Sequence, residues 1–195
     1  FILAYFFYID GVNTIISIST SYGSKLNLDN VGMILALLLT QIVAVPFSIL
    51  FGKLAERLGS VRVLLGAVCI YFLVCLVGFF MGFNIEQNPG SQQALQFSLI
   101  LFWCMAFLVG TVQGGIQAIS RSYFGKLIPP ERSNEYFGFF DIFGKFAAVI
   151  GPLLVAAFTQ MTGRDSIGVI SLALLFAVGG CILFFGRKLF TDRAA

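Results

Sequence analysis

Three charged side chains, Asp10, Asp141 and Lys145, lie inside long apolar stretches of this sequence. A charge at the centre of a bilayer costs about 2.5–3.5 kcal/mol even on the lenient insertion scale, so such residues commonly serve protons, ions or solutes. Asp141 and Lys145 are four residues apart with the acid nearer the amino end, the favourable order for a helical ion pair. We predict that Asp141 and Lys145 form a gate, a substrate contact or a structural pair, or that Lys145 extends towards Glu135 along its apolar stem. A latch of Arg121 and Arg132 with Glu131 and Glu135 is the alternative gate.

Polar side chains accompany Asp10 along one helical face. Asn13, Thr14, Ser17 and Ser21 follow it at i+3, i+4, i+7 and i+11, a spacing that places them on one side of a helix. Lipid would leave these groups unpaired, so the stripe must face other helices or water. Asp10 is therefore either a cavity carboxylate that takes up a proton or a cation, or an acceptor of hydrogen bonds from a neighbouring helix.

A second polar set comes later in the chain. Gln113 and Gln117 are one helical turn apart in an apolar stretch, and each amide needs hydrogen-bond partners in a dry bundle. We predict that Asp10, Asn13, Ser17 and these two glutamines line a pathway for substrate or protons. The neighbouring pattern Gly110-x-x-x-Gly114 predicts a close helix crossing.

The elements that carry these residues are predicted to be membrane helices. The chain is 58% hydrophobic and 11% charged, with a mean hydropathy of +0.95, and a soluble domain of this composition would be unable to cover its surface. A spanning helix needs about 20 apolar residues. We predict one all-α six-helix transmembrane bundle over residues 1–195, with spans at 1–21, 31–51, 61–83, 96–119, 137–159 and 167–186.

Basic residues predict the orientation of the bundle. Nine of them fall on one side, after spans two, four and six: Lys53, Arg57, Arg62, Arg121, Lys126, Arg132, Arg187, Lys188 and Arg193. The opposite loops hold only Lys25 and Arg164. The positive-inside rule therefore places both termini of this segment in the cytoplasm.

Several functional classes are disfavoured by what the sequence lacks. It contains no histidine, which removes a Ser-His dyad, and it shows neither a metal-ligand cluster nor a cofactor motif, so we expect no enzyme, metal or cofactor. An aromatic-interleaved basic patch for nucleic acid is also missing. A channel would be expected to show a selectivity loop or a ring of charges. A channel-like protein or a non-transporting membrane scaffold remains the alternative to a transporter.

The order of the spans indicates an internal repeat. Spans one and four are polar, spans two and five contain Pro46 and Pro152 and are predicted to kink, and spans three and six are almost wholly apolar. The order polar, bent, supporting thus occurs twice. A three-plus-three inverted repeat is how halves of many transporters are built.

The connection between spans two and three carries a motif. FGKLAERLGSVR, residues 51–62, resembles the loop G-x-L-A-D-R-x-G-x-x-R of the major facilitator superfamily. Its matching residues include Gly52, Arg57, Gly59 and Arg62, while Glu56 stands where the motif more often has aspartate. Glycines permit a tight turn between two helices, and an acidic side chain can bond basic groups or a helix amino end across it.

Two further segments, AYFFYIDGVNTI at 4–15 and the stretch from Gly114 to Pro152, resemble the carboxy-terminal half of the vacuolar-effluxer-like family. Autophagy-related amino-acid effluxers of fungi and many bacterial proteins belong to this family. The resemblance implies the second six-helix half of a twelve-helix secondary transporter that moves a small solute, with amino acids as the first candidates, by alternating access. It also implies a preceding six-helix half as partner, and a location in a bacterial cell membrane or a fungal vacuolar membrane.

Overall fold

The described part of the chain consists of helices joined by short connections. The computed structural model describes residues 1–191, with side chains through Arg187, so the Lys188 side chain and Arg193 lie outside it. Six of its helical stretches are long and apolar enough to cross a membrane, which confirms the predicted all-α transmembrane class. The helices are α1 (Ile2–Lys25), α2 (Asn30–Leu58), α3 (Ser60–Gln87), α4 (Gln92–Leu127), α5 (Ser133–Phe146), α6 (Ile150–Thr162), α7 (Asp165–Ser171) and α8 (Ala173–Thr191), with a 3₁₀ turn at Pro130–Arg132.

Local sequence signals begin and end several of these helices. The Asp29 carboxylate accepts the Gly32 N–H at 2.7 Å at the start of α2, and Ser91 Oγ accepts the Ala94 N–H at 3.4 Å at the start of α4. Both are ordinary amino-terminal caps. Between α2 and α3, Gly59 has a φ of 89°, a conformation that side chains other than glycine rarely adopt.

Span five is not one kinked helix but two helices, α5 and α6, separated at Ala147–Val149. Pro152 lies in the first turn of α6, where its missing N–H leaves no intrahelical bond unmade. The break therefore precedes the proline. Span six is likewise divided at Leu172, whereas α2 runs without interruption through Pro46.

The packing of the six spans follows two glycine seams. A side chain at Gly110 would approach the Thr40 backbone oxygen on α2, and one at Gly179 would approach the backbone of α1, so these glycines let the helix pairs α2–α4 and α1–α8 come close. This confirms the close crossing predicted at Gly110. The helix α4 packs against α2 and α3, while α1 packs against α5, α6 and α8. Span four thus packs against spans two and three, and span one packs against spans five and six. An inverted repeat, in which spans one, two and three correspond to spans four, five and six, requires this pattern.

Polar contacts join the helix ends that lie opposite the α2–α3 and α4–α5 connections. Lys25 Nζ lies 2.9 Å from Asp165 Oδ1 in an exposed ion pair. The Glu86 carboxylate accepts from the Ser166 N–H at 2.9 Å and from its hydroxyl at 2.7 Å, which caps the amino end of α7. Spans one, three and six are therefore tied together at this end. The end that holds the α2–α3 and α4–α5 connections is called the basic end below.

Candidate functional site

A polar cavity of about 430 Å³ lies between α1, α4 and α5, towards the basic end. It brings together four residues that the sequence singled out, Asn13, Gln117, Asp141 and Lys145, although they come from three helices. Its remaining lining residues are Tyr5, Ile9, Ala118, Arg121, Phe140 and Gly144. The cavity is thus rich in hydrogen-bonding groups within a bundle whose other surfaces are largely apolar.

Asp141 pairs with Arg121 rather than with Lys145. Arg121 Nη1 lies 2.9 Å from Asp141 Oδ1, and both side chains are about half exposed, at 59% and 48%. The predicted ion pair between Asp141 and Lys145 is not formed in this conformation. The reason is tertiary: α4 extends to Leu127, beyond the predicted end of span four, and carries Arg121 along the same face as Gln117 to meet α5.

Lys145 therefore contributes a positive charge to the cavity. Among the side chains of residues 1–187 the structure shows no ion-pair partner for its ammonium group. Arg121, Asp141 and Lys145 together carry a net charge of +1, since one acid faces two bases. The amides of Asn13 and Gln117 line the same space. This arrangement can hold a small polar solute through charge and hydrogen bonds.

Asp10 is adjacent to the cavity but does not line it. It is fully buried, and both carboxylate oxygens lie 3.0 Å from the backbone nitrogen of Gly151 at the amino end of α6. The Thr14 hydroxyl donates to Oδ1 at 3.4 Å. The predicted polar stripe is thus split, with Asp10 and Thr14 turned into the bundle and Asn13 turned to the cavity.

The other predicted pathway residues lie apart from the cavity. Gln113 lines a separate space of about 50 Å³ with Gln41, Thr40 and Ser19, between α1, α2 and α4. Ser17 is exposed, and its hydroxyl donates to the Thr14 carbonyl oxygen at 3.1 Å. Gln113 and Gln117 are one helical turn apart on α4, yet they line different spaces. Gln117 lies in the cavity beside α5, whereas Gln113 lies in the space beside α2.

The loop motif forms the α2–α3 connection at the basic end. Its residues Gly52, Glu56, Arg57, Gly59 and Arg62 span the end of α2 and the start of α3. Gly59 supplies the turn, while a side chain at Gly52 would meet open space. Arg62 Nη1 donates to the Leu58 carbonyl oxygen at 3.5 Å. Within this bundle the motif thus forms a helix-to-helix turn.

Sequence reasoning missed Arg121 and Tyr5 as cavity residues. The sequence predicts Arg121 as a loop residue in a latch with Glu131 or Glu135, although it follows Gln117 by four residues and continues that helical face. Tyr5 packs against Phe140, with ring centroids 4.1 Å apart, and Phe124 packs on Phe140 at 4.6 Å. These rings join α1, α4 and α5 beside the cavity. Because many other phenylalanines surround these residues in the sequence, nothing in the sequence marks one of them as a cavity residue.

A charge-swap experiment tests which residue is the partner of Asp141. We expect Arg121→Ala and Asp141→Ala each to lower the unfolding temperature slightly, because partly exposed ion pairs contribute only about 0.2–1 kcal/mol. The double variant Arg121→Asp/Asp141→Arg should restore it. The measurement is thermal unfolding in detergent. Lys145→Ala combined with Asp141→Ala should give additive losses, and non-additive losses there would return Lys145 to Asp141 as its partner.

Comparisons with known proteins agree on one family. A family model described as "Vacuole effluxer Atg22 like" matches residues 1–188. The MFS-type transporter YxiO of Bacillus subtilis strain 168 is 50% identical over 185 residues, which are 95% of this chain and 40% of that protein. Autophagy-related protein 22 of Eremothecium gossypii is 28% identical over 169 residues, which are 83% of this chain and 31% of that protein. The chain spans less than half of either relative. No solved structure matches it.

Proposed function

This chain belongs to the vacuole effluxer Atg22-like family, and from that premise we propose that it is one six-helix half of a secondary transporter. The transporter moves a small solute across the membrane by alternating access. Relatives are named as an MFS-type transporter and as autophagy-related proteins. The chain spans 40% of the bacterial relative, and the proposal includes a further six-helix half that supplies the other wall of the pathway.

The observation that carries this proposal is the cavity between α1, α4 and α5. It collects an ammonium group, an ion pair and two amides at one end of an otherwise apolar bundle. Such groups are costly in a membrane protein and are expected where a polar solute passes. The contacts at the other end, Lys25 with Asp165 and Glu86 with Ser166, hold that end together.

The charged and amide residues of the cavity have separate roles in this proposal. Lys145 attracts an anionic group of the solute, and Asn13 and Gln117 provide hydrogen bonds to it. The ion pair between Arg121 and Asp141 joins α4 to α5 and acts as the gate. It takes the place of the gate predicted between Asp141 and Lys145. Solutes with a carboxylate, amino acids first among them, match this set of groups.

Solute counterflow with the full-length protein tests the proposal. Proteoliposomes are loaded with unlabelled amino acids of neutral, acidic and basic type, and uptake of each labelled amino acid is measured with and without an imposed pH gradient. Alternating access predicts saturable uptake that rises when the same solute is present inside, because the loaded carrier returns. Flux that neither saturates nor responds to internal solute indicates the channel-like alternative. An effect of the pH gradient shows proton coupling.

A further inference from the structure

Span five is broken beside a buried carboxylate. The helix α5 ends at Phe146 and α6 begins at Ile150. The first N–H groups of a helix have no partners within it, and its amino end carries a partial positive charge. At α6 this need is met by Asp10, because the Gly151 N–H points between the two carboxylate oxygens at 3.0 Å from each.

The contact between Asp10 and the amino end of α6 is tightly packed. A Cβ atom at Gly151 would overlap the Thr14 hydroxyl and lie 3.0 Å from Asp10 Oδ1, so only glycine lets the α6 backbone come this near to α1. No ion pair of Asp10 is present among the side chains of residues 1–187. The hydrogen bonds that the structure gives the Asp10 carboxyl group therefore come from the amino end of α6 and from the Thr14 hydroxyl.

Few side chains of the half-helix on the other side of the break, α5, are buried. Within α5 only Phe140 is buried, among the residues described, and the bridge from Asp141 to Arg121 is half exposed. Yet α5 presents Asp141 and Lys145 to the cavity. The direction of α5 then depends on two anchors: the stacking of Phe140 on Tyr5 and Phe124, and the point where the chain enters α6, which Asp10 holds.

We propose that Asp10 is a positioning residue: it fixes the break in span five, and thereby aims α5 and its Lys145 at the cavity, without touching the solute. The predicted effect of Asp10 on transport rests on the proposed function, whereas its predicted effect on the position of α5 does not. It also distinguishes Asp10 from a substrate ligand. A ligand would set solute affinity, whereas a positioning residue sets how often α5 is correctly placed.

Distances between spin labels test the positioning role directly. In the full-length protein without native cysteines, one label pair joins Glu135→Cys on α5 to Lys53→Cys on α2. A control pair joins Gln160→Cys on α6 to Gln93→Cys on α4. Glu135 lies about 18 Å along the axis from the break, at 1.5 Å per residue, so a swing of about 15° would move it by about 5 Å.

The substitutions are conservative, so that a change in the label distances is not caused by misfolding. Asp10→Asn keeps the shape and one acceptor oxygen but loses the charge, and Thr14→Val removes the hydroxyl donor, with Thr14→Ser as its matched control. We expect Asp10→Asn to broaden or shift the α5 distance and leave the α6 distance unchanged. Thr14→Val should give a smaller change of the same kind, and Thr14→Ser none.

Transport kinetics supply the second measurement. Asp10→Asn should lower the maximal rate about tenfold while the apparent KM changes less than about twofold, since the loss of one charge-assisted hydrogen bond is of order 1.5 kcal/mol. Unchanged α5 distances, or a raised KM at an unchanged maximal rate, would overturn the positioning role. Failure of the wild-type protein to transport any amino acid counts against the proposed solute class only, because the distances still decide what Asp10 does.

Discussion

Lys145→Met in the full-length protein is expected to lower the initial rate of solute uptake by roughly 10- to 100-fold. Lys145 lines the cavity and has no ion-pair partner among the side chains of residues 1–187, so its charge is available to a solute. A hydrogen bond to a charged group contributes about 1.5–3 kcal/mol, and each 1.4 kcal/mol is about tenfold. Methionine keeps the apolar length of the stem and removes only the charge. Uptake into proteoliposomes provides the measurement.

Two matched variants separate this effect from a loss of folding or of basic charge. Lys126→Met removes a lysine from the last turn of α4, outside the cavity lining, and should transport at the wild-type rate. Lys145→Arg keeps the charge with a different shape and should retain part of the activity. If Lys145→Met and Lys126→Met transport equally well, Lys145 has no role in solute binding.

Gly110→Leu is expected to destabilise the bundle strongly. A Cβ atom at this position would lie 2.9 Å from the Thr40 backbone oxygen and 3.0 Å from Val43 Cβ, both on α2. Since a backbone oxygen moves only if the helix moves, the two helices must separate. At the same crossing the Thr40 hydroxyl donates to the Ala106 carbonyl oxygen at 3.2 Å, and this bond would also be lost. Overpacking of this kind typically costs about 1–3 kcal/mol, and occasionally more.

Thermal unfolding in detergent, followed by the fluorescence of the single tryptophan, Trp103, measures this loss. Gly66→Leu is the control, because Gly66 lies within α3 with open space around its added Cβ atom. Leucine favours helix over glycine by several tenths of a kcal/mol, so this variant should unfold at the same or a higher temperature. A Gly110→Leu variant as stable as Gly66→Leu would show that α2 and α4 do not pack through this seam.

The six helical stretches long and apolar enough to cross a membrane followed from local sequence alone. Each span is a long apolar segment, and hydrocarbon accepts a chain only when its backbone bonds are satisfied internally, so helices result whatever their neighbours are. The turn at Gly59 and the cap at Asp29 are equally local, since each involves residues within one turn. The glycines of α4 predicted a close crossing, but not that α2 is the helix crossed.

Tertiary structure alone decided the partners of the embedded charges. Asp141 had a base four residues away on its own helix, yet pairs with Arg121 across α4 and α5. Asp10 meets a backbone N–H 141 positions further along the chain, a group that every residue except proline carries and that no side-chain pattern marks. Periodicity shows which residues share a face of one helix. The rotation and depth of one helix against another depend on the packing of the whole bundle, and they determine which of those faces meet.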